Sequence, residues 1–217
     1  MNVSTATAPV DTGPPDGGTE AVPFAIRIVG WVLAVCGVLG GAAAFTLAVE
    51  KFHVLADPAY RPSCSINPVL SCGSVMSTPQ AEVFGFPNPL IGVAGFVVVT
   101  TLGVVVLTGA VLPRWCWLGL QAGTVFGVLF VHWLFFQSLY RIGALCPYCM
   151  VVWVVMIVLF WYVTLYNLYR AYLPVPARLR GPVSTAVGYH TVAVMLWMFL
   201  LAGLIGQRFW DYWRTLW

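Results

Sequence analysis

Five stretches of this chain run for about the thickness of a bilayer with no Asp, Glu, Lys or Arg, and that pattern leaves few folds open. They are residues 28–49, 90–112, 115–140, 144–169 and 188–206. Each approaches or exceeds the roughly 20 apolar residues that a helix needs to cross hydrocarbon. Lipid offers no water to backbone N–H and C=O groups, so a crossing segment must be a helix or part of a closed barrel. The runs lack a two-residue alternation, and five strands are too few for a membrane barrel. Charged residues make up only 8% of the chain, against about 25% in soluble domains. The fold class expected is an all-α integral membrane protein, a four-transmembrane-helix bundle with a fifth transmembrane helix. The net charge of +3 is scattered, and no Lys/Arg cluster points to a nucleic-acid partner.

The segments between the runs are unequal. Residues 1–23 are rich in Pro, Gly, Thr and Ala and read as a disordered tail. The first run starts too late and is too long for a cleaved signal peptide. Residues 50–89 form a long loop with Pro58, Pro62, Pro68, Pro79, Pro87 and Pro89 and two cysteines. Long loops in compact proteins are usually functional. Val69, Leu70, Val83, Phe84 and Phe86 predict that it folds back on the bundle as a lid, with a short helix near 74–82. Residues 171–187 read as a linker, and 188–217 as the fifth span with a short tail.

Six cysteines stand at 36, 64, 72, 116, 146 and 149. Cys146-Pro147-Tyr148-Cys149 opens the fourth run. Proline suits the first helical position, which makes Cys146 the N-cap. The positive end of the helix dipole favours a thiolate there. Cys149, one turn on, lies deeper on the same face. Cys64 and Cys72 lie in the long loop, and fully extended chain between them would span about 27 Å. Asn67-Pro68 can turn it back, so the two can pair or act in series. Two crossings separate the loop from the CxxC, which puts all four cysteines on one side of the membrane. Lys and Arg counts lean toward a cytoplasmic N-terminus, led by Arg170, Arg178 and Arg180. Disulfide chemistry favours the external side for the cysteines. A dithiol gives up two electrons and two protons, which a lipid-soluble quinone can accept in an apolar pocket.

The order of these motifs resembles the vitamin K epoxide reductase family, and its bacterial members most closely. The matching features are Cys64-x7-Cys72 after span one, Asn88-Pro89-Leu90-Ile91-Gly92 entering span two, and Cys146-Pro147-Tyr148-Cys149 at span four. The resemblance covers about residues 24–170. Bacterial relatives also carry a fifth span, some with a thioredoxin-like domain after it; residues 1–217 include none. The resemblance implies that Cys149 lies next to the quinone, that Cys146 exchanges with Cys72, and that Cys64 meets a thioredoxin-fold partner. It implies that Asn88 donates a hydrogen bond to a quinone carbonyl and that Thr78 takes a place where the family keeps a hydroxyl. Where mammalian members have a tyrosine near the ketone, this chain has Trp153, which changes the shape and donor offered.

The implied activity is a membrane thiol–quinone oxidoreductase. It takes electrons from a reduced DsbA-like protein through Cys64/Cys72 to Cys146/Cys149. They go on to menaquinone, ubiquinone or a vitamin K-type naphthoquinone in the bacterial inner membrane. Rival readings are a dedicated vitamin K epoxide reductase, a DsbB-like reductase of other ancestry, and a non-enzymatic four-cysteine metal-binding module. Cys36 and Cys116 read as small core residues. His132 is an ionisable residue inside a span, a functional candidate that can equally be buried neutral. Asn88 can also serve as a helix cap.

Overall fold

In a computed structural model, the structure describes residues 18–57, 59–174, 181, 185 and 188–214. Its helices in chain order are α1 (Gly18–Ala56), α2 (Cys72–Met76), α3 (Pro89–Leu107), α4 (Arg114–Gln137), α5 (Pro147–Tyr169), α6 (His190–Arg208) and α7 (Trp210–Arg214). Five of them, α1, α3, α4, α5 and α6, are long and apolar enough to cross a membrane. These are the five spans expected from the uncharged runs. Helix α1 starts at Gly18, inside the segment read as a tail; residues 1–17 lie outside the described residues, as does most of the linker 171–187.

Helix α1 packs against α3 and α5, and α4 against α5. The α1–α3 seam is backbone on backbone. A Cβ on Gly103 would stand 2.5 Å from the Ala34 nitrogen and 2.9 Å from the Leu33 carbonyl carbon. Small residues permit such approach where lipid gives helices no hydrophobic reason to associate. Leu33, Ile157, Leu159 and Val163 are wholly buried along the α1 and α5 faces.

Two further boundaries differ from the sequence expectation. Helix α3 ends at Leu107, because Gly109 adopts φ +89° and turns the chain out before residue 112. Helix α1 continues past Glu50 and Lys51 to Ala56, because both charges find partners in the loop. The short helix expected near 74–82 is two pieces, α2 and a 3-10 turn at Pro79–Glu82. Pro79 pushes Thr78 into extended backbone (φ −89°, ψ 152°), which breaks the helix between them.

Helix α4 ends in a π-helical turn, Ser138–Ile142, closed by Gly143 at φ 72°. The chain then runs extended to Cys146. There Leu145 donates its N–H to Val69 O at 2.7 Å and accepts from Ser71 N at 2.8 Å. This two-bond bridge stitches the long loop to the mouth of α5 and sets the site.

Candidate active site

Cys146 caps α5 in extended backbone (φ −111°, ψ 121°), with Pro147 at the first helical position. It is 1% exposed. Its thiol is held below the ordinary thiol range, chiefly by its hydrogen bond with the Cys149 thiol. The backbone N–H groups of Cys149 and Tyr148 add to this, and burial opposes it. The site therefore favours a thiolate at the sulfur nearest the loop.

The loop brings the second pair to it. Asn67 Oδ1 accepts from the N–H of Val69 (3.0 Å) and Leu70 (2.7 Å), an Asx turn that reverses the chain at Pro68. Ile66 N–H closes the turn on Leu70 O at 2.9 Å. Cys64 and Cys72 thereby come to 5.6 Å between Cα atoms and are joined as a disulfide. Ser71 caps α2 by accepting from Ser74 N, and Cys72 is its first residue. Cys72 Sγ lies 3.2 Å from Cys146 Sγ. Leu47, Cys64, Cys72, Met76 and Cys146 form one buried cluster, with Cys149 packed against it.

Below the cysteines is a cavity of about 640 Å³, bounded by α1, α3, α4 and α5 and roofed by Val75, Met76 and Ala81. Cys149 opens into it, with Asn88, Trp153 and Lys51, over a wall of Val, Leu, Phe and Gly. On its α4 wall, Gly119 and Gly123 would each find nothing within 4 Å of an added Cβ. These glycines widen the cavity and do not seat a neighbouring helix.

Asn88 makes no side-chain cap. Its Nδ2 donates to Gln80 O at 2.7 Å and its Oδ1 accepts from Val83 N at 3.2 Å, which ties the end of the lid to α3. An amide nitrogen carries two hydrogens, so one N–H remains beyond this bond on a residue that lines the cavity. Trp153 is buried, edge-on to Phe135 with ring centroids 5.0 Å apart. Thr78 is half-buried, gives its hydroxyl to Val75 O at 2.8 Å, and is not among the cavity-lining residues.

Two residues to which the sequence reading gave no role in the site hold the loop. Lys51 Nζ donates to Met76 O at 2.7 Å and pairs with Glu82 at 2.7 Å, while lining the cavity. Glu50 accepts from the Ser63 hydroxyl at 2.5 Å, and its hydrogen bond with Tyr60 lifts that phenol's pKa. Neighbouring residues of α1 thus grip the two arms of the loop, one beside each loop cysteine. An adjacent pair of opposite charges at the end of an apolar run was the available signal. Cys36 is half-buried and packs on the main core, and Cys116 lines the far end of the cavity.

The family model described as the vitamin K epoxide reductase family matches residues 31–164. No curated protein matches the chain.

Proposed function

The chain belongs to the vitamin K epoxide reductase family, and from that premise we propose a specific route for its thiol–quinone oxidoreductase chemistry. Electrons enter from a reduced thioredoxin-fold protein of the DsbA type at Cys64/Cys72. They pass to Cys146/Cys149 and leave to a membrane quinone. The net effect is disulfide formation in exported proteins. The observation that carries this reading is the 3.2 Å approach of Cys72 Sγ to Cys146 Sγ.

The steps balance as thiol–disulfide exchange. A partner thiolate attacks Cys64, Cys72 leaves as thiolate, and the partner's second thiol releases Cys64. Cys72 then attacks Cys146 in the Cys146–Cys149 disulfide and expels Cys149. Cys64 attacks Cys72 and expels Cys146. The outer pair is now oxidised and the inner pair reduced. That is the arrangement of the present structure, with Cys64–Cys72 bonded and Cys146 and Cys149 free. The quinone, when bound, accepts two electrons and two protons and leaves Cys146–Cys149 as a disulfide.

The residues of the cavity fit such a group. Cys149 supplies sulfur, Asn88 has a spare N–H to offer as a donor, and Trp153 supplies an aromatic wall. Menaquinone, ubiquinone and a vitamin K-type naphthoquinone all have the ring and carbonyls for it. Cys64 is 6% exposed, so a partner reaches it when the arm carrying Ser63, Ser65 and Ile66 lifts. We place the four cysteines on the periplasmic side of a bacterial inner membrane, in line with the arginines near the other helix ends.

The test is quinone reduction by reconstituted protein with a reduced thioredoxin-fold donor. Cys146→Ala and Cys149→Ala should fail with every reductant. Cys64→Ala and Cys72→Ala should fail with the protein donor and keep activity with a small permeable dithiol. Equal rescue of all four by the dithiol would refute the order of transfer.

A further inference from the structure

Helix α6 lies outside the matched family region, and no step above uses it. It is nevertheless tied to the core, among the described residues, by polar contacts from Trp197 and Arg208. In the interior, His132 Nδ1 lies 2.7 Å from Val128 O. A carbonyl only accepts, so Nδ1 carries the proton and Nε2 is a bare acceptor. That acceptor takes the indole N–H of Trp197 at 3.0 Å. Both imidazole nitrogens are therefore engaged, which accounts for a polar ring inside a span. Phe160 meets Trp197 edge-on, with ring centroids 6.2 Å apart.

The second contact is at the far end of α6. Arg208 Nε donates to Leu139 O at 2.9 Å. Leu139 is wholly buried in the π-turn. Gly143 N–H bonds Ser138 O in that turn, and the Leu139 carbonyl is left for a donor from outside. Phe209, the next residue, is 7% exposed in the main core. From the π-turn the chain passes through Gly143 to Leu145, which is bonded to Val69 and Ser71, and then to Cys146. Arg208 thus holds the segment that aims Cys146 at Cys72.

We propose that Arg208 is a positioning residue for exchange between the two cysteine pairs. From α6 it fixes the π-turn, and the Trp197–His132 contact keeps α6 in register to do so. The inference rests on the proposed exchange path only in naming Cys72 and Cys146 as the atoms aligned.

The test uses the full chain in lipid nanodiscs and needs neither quinone nor partner. In a Cys64→Ala/Cys149→Ala background, the Cys72 and Cys146 thiols are oxidised to a disulfide by diamide, which is reduced to its hydrazine. Gel shift reads the rate. Adding Arg208→Met should slow bond formation at least tenfold, and Arg208→Lys, which keeps a donor, should restore it to within threefold. Trp197→Phe should slow it several-fold. Should Arg208→Met fail to assemble, Arg208→Gln carries the same comparison, with an intermediate rate expected. An unchanged rate in Arg208→Met or Arg208→Gln overturns the proposal. So does a slowing that Arg208→Lys shares in full, or one that follows the loss of thermal stability across the series. Separately, wild-type protein that reduces no quinone, with the Cys72–Cys146 bond still forming and still dependent on Arg208 in the Cys64→Ala/Cys149→Ala background, would sink the proposed function and leave this inference standing.

Discussion

Lys51→Met is the most informative perturbation of the lid. The lysine is nearly buried, with its side chain 8% exposed, and it holds both Met76 O and Glu82 at 2.7 Å. A hydrogen bond from a charged group contributes about 1.5–3 kcal/mol, and losing the donor leaves a buried carbonyl unpaired. The ion pair adds less, because the Glu82 side chain is 39% exposed and solvent screening holds such pairs to about 1 kcal/mol or below. Methionine keeps the length and apolar volume of the stem, so packing is little changed. The closed lid should lose about 2–3 kcal/mol, and 2 kcal/mol corresponds to roughly a 30-fold fall in the closed-to-open ratio. Hydrogen–deuterium exchange of the amides in 72–82 reads that ratio directly, and quinone KM reads its consequence. Glu82→Gln is the control, because it removes the pair and leaves the Met76 bond; it should cost under about 1 kcal/mol. If Lys51→Met and Glu82→Gln speed exchange equally, or neither does, the Met76 contact does not hold the lid and the reasoning is wrong.

Other outcomes follow from the same geometry. Gly123→Leu would place a side chain in the open cavity beside Thr124. It should raise the quinone KM at least about tenfold, with the Cys64–Cys72 disulfide still formed by mass analysis. Gly103→Val would drive a side chain into the α1 backbone and should destabilise the bundle by about 3 kcal/mol or more, read as a lower thermal midpoint. The Cys146 thiol is depressed chiefly by Cys149. Its reaction with a small alkyl thiosulfonate, which transfers a thioalkyl group and releases sulfinate, should therefore titrate below the range of an ordinary free thiol. Reactivity should be lost as pH falls through that lowered value. In Cys149→Ala the midpoint should move up; an unmoved midpoint would remove Cys149 as the cause.

Much of the site was legible one segment at a time. Pro147 after a cysteine at the start of an apolar run specifies an N-cap thiol, because proline is tolerated only in the first helical turn, and Cys146 sits there. Asn67-Pro68 specifies a reversal, because the asparagine oxygen can reach the N–H groups just ahead of it, as it does. Asn88 was different. Type and position suggested a cap and the family resemblance a quinone donor; neither pointed to the amide's bonds with Gln80 and Val83, partners that exist only once the lid has folded down. The charge pair Glu50–Lys51 marked a position, but the partner of Lys51 was unreadable for the same reason: its main acceptor is the carbonyl of Met76, 25 residues away.

What the sequence determined by itself is the solvent of each segment, since an uncharged run of bilayer length has no soluble alternative that satisfies its backbone. It also determined where the turns and helix starts fall, which depends on neighbours a few residues apart. Only the tertiary structure decided which sulfur meets which. Cys72 and Cys146 are 74 residues apart, and their contact depends on the Leu145 bridge and the two grips of α1 acting together. Local propensity carries no record of distances between segments; those are settled when buried polar groups find their partners across the fold.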